Sequence, residues 1–397
     1  MSLTPKPESK KKFAPATRLV HAGRDPGEQH GFVNTPIYRG STVLYPTYDA
    51  IQNRRGRYNY GTKGTPTSDA LTDAWTEVAG AAGTVATPSG LNALTVALMA
   101  AVSAGDHLLV TDSAYRPTRI FCDNVLKRYG VETTYYDPLV GAGIGELMRA
   151  NTKAVLVEAP GSQSFEMQDV PAISEVAHAR DACVIMDNTW ATPLLFPPHE
   201  RGVDIAVEAG TKYLSGGSDL LLGLTSANAR YWPAVRRTFD YFAPCAGPED
   251  MFLALRGLRT MGLRLREHGR QGLEMARWLQ ARPEVLRVLH PGLPDDPGHA
   301  IWSRDFSGAS GLFGVVLRPV PEAAVAAILD GLELFGMGFS WGGFESLVVP
   351  FDCAGYRTAT AWAPGGPGLR FHIGLEDVAD LKTDLDAGFA RLRETAR

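Results

Sequence analysis

Short apolar runs alternate with helical segments between residues 64 and 240, and this alternation constrains the fold more than any other feature of the sequence. Four runs have the length and composition of buried strands, at residues 107–110, 154–157, 183–186 and 203–207. Segments with a helical pattern, such as residues 91–102 and 172–180, lie between them. Strands that alternate with helices predict an α/β fold, with a mainly parallel sheet covered by helices on both faces.

The rest of the chain divides around this pattern. Residues 1–62 have little periodicity and many turn residues, which predicts an N-terminal arm that packs on its own domain or on a neighbouring subunit. We assign residues 63–255 to the main domain and residues 256–397 to a smaller α+β domain. The smaller domain should begin with a helix that ends near Pro283 and finish with a helix from Val378 to Leu392. The charge-free stretch at 78–105 is too interrupted to span a membrane, and we interpret it as a buried helix.

Composition excludes several classes of function. The 397 residues carry 39 basic and 43 acidic side chains, a net charge of −4, which gives no reason to expect a nucleic-acid or membrane-surface partner. The four cysteines lie far apart without a CxxC pair, which argues against disulfides and zinc, so we predict no metal site. Reduced thiols and the absence of an apolar segment after the polar first 15 residues favour a cytoplasmic location.

Two charged residues follow predicted strands, where ligands bind in α/β sheets. Asp187 directly follows the run at 183–186, and Lys212 lies just beyond the run at 203–207. Each has an ordinary explanation when taken alone, Asp187 as a cap of the next turn and Lys212 as a solvated surface group. As a pair, a lysine that binds an aldehyde and an aspartate that faces a pyridinium nitrogen are the minimum that a protein contributes to pyridoxal-phosphate chemistry.

Such a cofactor also needs a site for its phosphate. Ser89, Gly90 and Leu91 begin an uncharged helix, and free N–H groups at a helix N-terminus bind phosphate well. Thr211 could add a hydroxyl beside the lysine. Ser-Gly alone is more often a simple helix cap.

Two further side chains complete the candidate site. Tyr115 follows the run at 107–110 and could stack on a planar ring, although a single tyrosine is more often a packing residue. Arg370 alternates with apolar neighbours and could bind a carboxylate with both arms of its guanidinium. An internal ion pair with Glu376 is the alternative explanation for Arg370.

Long phrases of the sequence resemble the pyridoxal-phosphate enzymes of cysteine and methionine metabolism. The resemblance extends from about Thr17 to Arg393, and its phrases include residues 185–190, 211–214, 340–346 and 372–378. It implies the fold of the aspartate aminotransferase class (fold type I) and pyridoxal 5′-phosphate as cofactor.

The resemblance also implies roles for individual residues. Lys212 would hold the cofactor and remove the substrate Cα proton, Asp187 would keep the pyridine nitrogen protonated, and Tyr115 would stack on the ring. Gly90, Leu91 and Thr211, with Ser89, would hold the phosphate. Arg370 would bind the substrate carboxylate, with help from Ser340 and Trp341.

Three sequence features favour the β-eliminating branch of this family over its γ-acting relatives. They are Pro160–Gly161–Ser162, Trp341 in Ser-Trp-Gly-Gly, and Ala209 three residues before the lysine. The implied reaction is cleavage of a thioether amino acid such as cystathionine to homocysteine, pyruvate and ammonia, and cystine or cysteine conjugates are further candidate substrates. A γ-acting enzyme and a relative that binds the cofactor without catalysis remain as alternatives.

The arm departs from the family pattern. The family carries Tyr-x-Arg there, which reaches the phosphate of a neighbouring subunit, and here Tyr60 is followed by Thr62 at the arginine position. Lys63, Arg57 or Tyr58 could take its place, and Tyr241 lies where relatives have a tyrosine that reaches the neighbouring site. The resemblance implies a homotetramer built from two dimers.

Overall fold

The larger of two β-sheets forms the centre of the molecule in a computed structural model, which describes residues 13–396. Its seven strands have the order β1-β7-β6-β5-β4-β2-β3. The strands are β1 (Gly83–Thr87), β2 (His107–Thr111), β3 (Glu132–Tyr136), β4 (Thr152–Glu158), β5 (Cys183–Asp187), β6 (Ile205–Ala209) and β7 (Gly223–Ala227). Strands β3, β2, β4, β5 and β6 are parallel, and β7 runs antiparallel to both β6 and β1. The prediction of a mainly parallel sheet is therefore confirmed.

The smaller sheet is entirely antiparallel. It contains β8 (Val285–Leu289), β9 (Leu312–Leu317), β10 (Leu347–Phe351) and β11 (Gly368–His372), in the order β10-β11-β9-β8. Its core side chains, among them Phe313, Phe371 and Phe389, are almost fully buried. This is the α+β unit expected for the C-terminal part, although where one domain ends and the next begins stays a prediction.

Twelve α-helices occur in the part of the chain that the structure describes. In chain order they are α1 (Pro15–His21), α2 (Tyr48–Gln52), α3 (Pro66–Ala79), α4 (Gly90–Ala101), α5 (Arg116–Phe121), α6 (Val170–His178), α7 (Thr192–Leu195), α8 (Trp232–Phe242), α9 (Pro248–Gln280), α10 (His299–Asp305), α11 (Glu322–Leu329) and α12 (Val378–Thr395). None of the helices within residues 13–396 is long and apolar enough to cross a membrane.

Capping residues explain where the helices nearest the site begin. The Thr65 hydroxyl oxygen accepts a hydrogen bond from the Ser68 N–H group, and the Ser68 hydroxyl oxygen accepts one from the Thr65 N–H group. This reciprocal cap starts α3 at Pro66. Ser89 caps α4 by accepting from the Asn92 N–H group at 3.2 Å. The first amides of α4 therefore start directly after β1, at one edge of the larger sheet.

Several sequence-based boundaries need correction. The charge-free stretch at 78–105 is not one buried helix, because it contains β1 as well as α4. Strand β6 lies at 205–209, two residues later than predicted, and α9 begins at Pro248, eight residues before the predicted domain boundary at 256. Strands β1, β3 and β7 were not predicted, because each contains threonine or serine and none is an uninterrupted apolar run.

A buried cluster of charges joins the two sheets. Asp112, directly after β2, forms ion pairs with Arg119 at 2.8 Å and Arg357 at 3.3 Å, and all three side chains are at most 4% exposed. The same carboxylate accepts hydrogen bonds from the backbone N–H groups of Thr358, Ala359 and Thr360. The segment between β10 and β11 is thus attached to the end of β2, three residues before Tyr115.

Candidate active site

A cleft opens at the carboxyl edge of the larger sheet, beside the ends of β4, β5 and β6. It has about 1100 Å³ of empty space, part of which is open to solvent. Nine of the residues predicted for the site line this cleft: Ser89, Gly90, Leu91, Tyr115, Asp187, Thr211, Lys212, Trp341 and Arg370. The fold therefore brings together residues that are 281 positions apart at the extremes, from 89 to 370.

Lys212 lies in the connection between β6 and β7, with its amine inside the cleft. Its Nζ donates a hydrogen bond to Ser340 Oγ at 2.8 Å, and the Trp341 ring centroid is 5.2 Å from the same nitrogen. Burial and then the nearby Arg370 charge lower the pKa of Lys212 to about 8, while the Asp187 carboxylate opposes the shift. An amine with this pKa is partly neutral near neutral pH and can act as a nucleophile or a base.

Asp187 ends β5 and presents one carboxylate oxygen to the cleft. Its Oδ1 accepts from the Thr189 hydroxyl at 2.6 Å and from the Thr189 N–H group at 3.1 Å. Thr189 Oγ1 in turn accepts from the Ala209 N–H group at 2.9 Å, which ties β5 to β6. Within residues 13–396 no hydrogen bond is made to Oδ2, so this oxygen is available to a cationic group of a ligand.

Two glutamates beside Asp187 were not predicted. Glu158 lies opposite Asp187 in the register of β4 and β5, lines the cleft, and accepts from the Tyr115 N–H group at 2.7 Å. Glu208 lies on β6, is 2% exposed, and neither of its oxygens has a hydrogen-bond partner among the described residues. Burial and then the Asp187 charge raise the pKa of both glutamates well above the usual value.

The signal for these glutamates was present in the sequence. Glu158 directly follows the apolar run at 154–157 and Glu208 directly follows the run at 203–207, just as Asp187 follows the run at 183–186. The rule that selected Asp187 also applies to them.

The N-terminus of α4 approaches the lysine segment very closely. A Cβ atom at Gly90 would lie 2.7 Å from Ala209 Cβ, so only glycine fits at this position. The amides that begin α4 and the strand that leads to Lys212 are therefore in direct contact. Ser89 keeps its hydroxyl proton free to donate, because its oxygen acts as the acceptor in the helix cap. The Thr211 hydroxyl is already bonded to Leu222, donating to its carbonyl at 3.2 Å and accepting from its N–H group at 3.0 Å.

Arg370 and Tyr115 both line the cleft. Arg370 Nη2 donates to the Phe339 carbonyl at 2.8 Å and to the Ser340 carbonyl at 3.3 Å, which leaves Nη1 and Nε for a ligand. No ion pair forms between Arg370 and Glu376, because Glu376 instead accepts from the Ser346 N–H group at 2.7 Å and from the Ser346 hydroxyl. The alternative explanation for Arg370 is therefore wrong.

The predicted arm residues lie outside the cleft of their own chain. Lys63 pairs with Asp240 at 3.3 Å, and Tyr60 is half exposed. Arg57 and Tyr58 both bind Asp69, at 2.9 and 2.8 Å. Tyr241 is 82% exposed. Contact of any of these residues with a cofactor phosphate stays a prediction that concerns a second subunit.

These residues fit pyridoxal phosphate. The helix N-terminus suits its phosphate, the partly neutral amine suits its aldehyde, and the unpaired Asp187 oxygen suits its ring nitrogen. The fold and the cleft together define a pyridoxal-phosphate-dependent enzyme of fold type I.

Comparison with known proteins gives the family. The family model described as Cys/Met metabolism PLP-dependent enzyme matches residues 16–390, and the chain belongs to this family. It is 42% identical over 389 residues to the cystathionine β-lyase of Escherichia coli, covering 95% of this chain and 98% of the other. A Rhizobium johnstonii protein, provisionally named a cystathionine β-lyase, is 53% identical over 378 residues. The match covers 94% of this chain and 95% of that protein.

A solved structure extends the comparison to a γ-acting relative. The cystathionine γ-synthase of Xanthomonas oryzae pv. oryzae, in complex with cystathionine, is 32% identical and superposes with a TM-score of 0.89. The match covers 96% of this chain and 99% of that structure. A γ-acting enzyme thus shares the fold of this chain, and residues in the cleft must decide between the two branches.

Proposed function

We propose that the enzyme is a carbon–sulfur β-lyase that cleaves L-cystathionine to L-homocysteine, pyruvate and ammonia, a reaction that serves methionine biosynthesis. Cystine and cysteine conjugates are further proposed substrates, because the reaction needs only a thiolate leaving group on Cβ. The observation that carries the proposal is that all three sequence features of the β-eliminating branch line the cleft. Pro160–Gly161–Ser162, Ala209 and Trp341 surround the same space as Lys212.

Pyridoxal phosphate, when bound, supplies a sink for the electrons left when Cα loses its proton. The Asp187 carboxylate would keep the ring nitrogen protonated, because an anion at this buried position stabilises a cation. The Gly90 and Leu91 amides and the Ser89 hydroxyl would bind the phosphate. Tyr115, whose backbone N–H group donates to Glu158, would cover the ring face.

The substrate is oriented by Arg370 and deprotonated by Lys212. Arg370 binds the α-carboxylate through Nη1 and Nε while its Nη2 remains attached to the backbone at Phe339. Lys212 Nζ removes the Cα proton, since its lowered pKa leaves part of it neutral at the working pH. The same nitrogen then donates a proton to the departing sulfur. Ser340 Oγ accepts from Nζ and fixes its direction.

The identity of the keto acid tests this proposal. Purified protein supplied with pyridoxal phosphate and L-cystathionine should release pyruvate together with one free thiol per turnover. Release of 2-oxobutyrate would instead assign the chain to the γ-acting branch, as a methionine γ-lyase or cystathionine γ-synthase type. A cofactor-loaded protein that releases neither from any thioether amino acid would be a non-catalytic relative.

We also propose that the enzyme is a homotetramer of two dimers and works in the cytoplasm. Supporting the first point, apolar arm residues such as Phe32, Leu44 and Tyr48 are 71–88% exposed in the single chain. A second copy would bury them. Light scattering of the purified enzyme tests the assembly, and a monomer at micromolar concentration would contradict it.

A further inference from the structure

The turn formed by Ser340, Trp341, Gly342 and Gly343, hereafter the 340–343 turn, lies directly on the backbone of the lysine segment. Gly342 has φ of +86°, and a Cβ atom there would lie 2.9 Å from both the Lys212 carbonyl carbon and the Tyr213 nitrogen. Any other residue would be strained and would collide with backbone. The position of this turn therefore decides what surrounds the Lys212 amine.

The turn supplies two of the groups nearest that amine. Ser340 Oγ accepts the hydrogen bond from Nζ at 2.8 Å, and the Trp341 ring centroid lies 5.2 Å from Nζ. Both contacts favour a positively charged nitrogen, the first as an acceptor and the second through the face of the indole. A shift of the turn would change the protonation of the amine as well as its direction.

Strand β11 holds the turn through two side chains on one face. His372 Nε2 lies 3.1 Å from the Gly342 nitrogen and 3.0 Å from the Gly343 carbonyl oxygen. Arg370, two residues earlier, donates to the Phe339 carbonyl at 2.8 Å. Alternate residues of a strand share a face, so both side chains point to the same turn. Arg370 contacts its first residue, Ser340, and His372 contacts its last two residues, Gly342 and Gly343.

His372 stays neutral across the working range of pH. It is 1% exposed, and the groups around it are the Tyr213 ring, His268 and the cations Arg370 and Lys212. Burial, and then His268, lower the pKa of His372 to about 3. The imidazole therefore acts by hydrogen bonding rather than by charge.

A merely space-filling role does not explain this imidazole. Within residues 13–396, His372 Nδ1 has no hydrogen-bond partner although it is buried. A buried unpaired nitrogen destabilises a fold, and an apolar side chain would fill the same space without that cost. What the imidazole adds is a hydrogen bond to the turn, because Nε2 either accepts from the Gly342 N–H group or, in the other tautomer, donates to the Gly343 carbonyl.

We propose that His372 is a positioning residue, which fixes the 340–343 turn on the Lys212 backbone and thereby places Ser340 and Trp341 at the lysine amine. The proposal rests on the role proposed above for Lys212. It is separable from that role, because it concerns the environment of the amine and not the product of the reaction.

The pH titration of the visible absorbance of the cofactor-loaded enzyme, in the absence of substrate, measures that environment. In His372→Leu, the midpoint should move downward by about half a pH unit or more, because both contacts that favour the protonated nitrogen are weakened. We expect kcat to fall roughly tenfold. His372→Gln, whose amide can still reach the turn, should recover most of both properties. If the leucine variant does not fold, His372→Asn, too short to reach the turn, carries the same prediction.

Two comparisons separate positioning from general loss of stability. His107→Leu removes another buried histidine with two hydrogen bonds, at the opposite end of β2 from the cleft, and should lower stability without moving the midpoint. Ser340→Ala should move the midpoint in the same direction as His372→Leu. The double variant should have the same midpoint as His372→Leu alone. An unchanged midpoint in His372→Leu, an equal shift in His107→Leu, or shifts that add in the double variant would each overturn the proposal. Absence of visible absorbance in the wild-type enzyme would instead refute the role of Lys212.

Discussion

Replacement of Asp112 by asparagine tests how the two sheets are held together at the cleft. The change keeps the shape of the side chain but removes the charge that Arg119 and Arg357 share. Arg357 retains a second partner in Glu166 at 2.7 Å, whereas Asp112 is the only ion-pair partner of Arg119 in the described part of the chain. The variant therefore leaves a buried guanidinium without a counter-charge.

The loss of stability expected for Asp112→Asn can be worked out in two ways. Removing one member of a buried ion pair costs about 3–5 kcal/mol. Independently, the backbone N–H groups of Thr358 and Thr360 and the Arg119 guanidinium overcome the effect of burial and hold the pKa of Asp112 at about 2, against an ordinary value of 3.8. That difference is worth about 2 kcal/mol of stability for the charge alone. We expect a total loss of about 2–5 kcal/mol in the free energy of unfolding at pH 7.

Urea denaturation of the cofactor-loaded enzyme, followed by circular dichroism at one protein concentration, measures this loss. Because the folded-state pKa of Asp112 is depressed, its contribution is complete above about pH 4 and is lost as the pH falls towards 2. The difference in the free energy of unfolding between wild type and Asp112→Asn should therefore become smaller as the pH falls from about 4 towards 2. Asp181→Asn, which breaks an exposed pair with Arg230, should cost less than about 1 kcal/mol. A loss in Asp112→Asn no larger than this control would refute the reasoning.

Three further predictions concern the cleft. Lys212→Ala should abolish the visible absorbance of the bound cofactor and lower kcat by at least about a thousandfold, measured as pyruvate release, because one nitrogen holds the cofactor and moves the proton. Glu158→Gln should flatten the pH dependence of thermal stability. Its raised pKa means that the folded protein binds a proton more tightly than the unfolded chain, so wild-type stability should fall as the pH rises above about 4.5, and an equal fall in the variant would contradict this. Arg370→Lys should raise KM for cystathionine roughly tenfold or more, since a point charge replaces a fork, and an unchanged KM would remove Arg370 from substrate binding.

Apolar runs and strand-end charges in the sequence predicted most of the larger sheet and the centre of the cleft. Strands β2, β4 and β5 follow from uninterrupted apolar runs, and Asp187 and Lys212 follow from the rule that ligands bind beyond strand ends. Strand β7 could not be predicted in this way, because Gly223–Ala227 contains small and hydroxylated residues whose burial comes from packing against β1, β6 and α4. Tertiary packing, not local preference, makes it a strand.

The three carboxyl groups at the cleft show more clearly what cannot be predicted from the sequence. Asp187, Glu158 and Glu208 look alike in sequence, each directly after an apolar run. In the structure they differ, because Asp187 is bonded to Thr189, Glu158 holds the Tyr115 backbone, and Glu208 has no hydrogen-bond partner among residues 13–396. Burial raises the pKa of all three groups, the Asp187 charge adds to this effect at both glutamates, and the Thr189 hydrogen bonds and the Lys212 charge oppose it at Asp187. Such differences depend on distances between strands, which no local pattern contains.

The contact between Gly90 and Ala209 has a consequence for the choice of cofactor. Since the amides of α4 rest on the strand that leads to Lys212, the span from phosphate site to amine is set by touching main chains and cannot adapt through side-chain rotamers. The distance between the phosphate site and the Lys212 amine therefore fixes the length of the cofactor that the cleft accepts. An unphosphorylated vitamer would reach the amine but leave the amides empty.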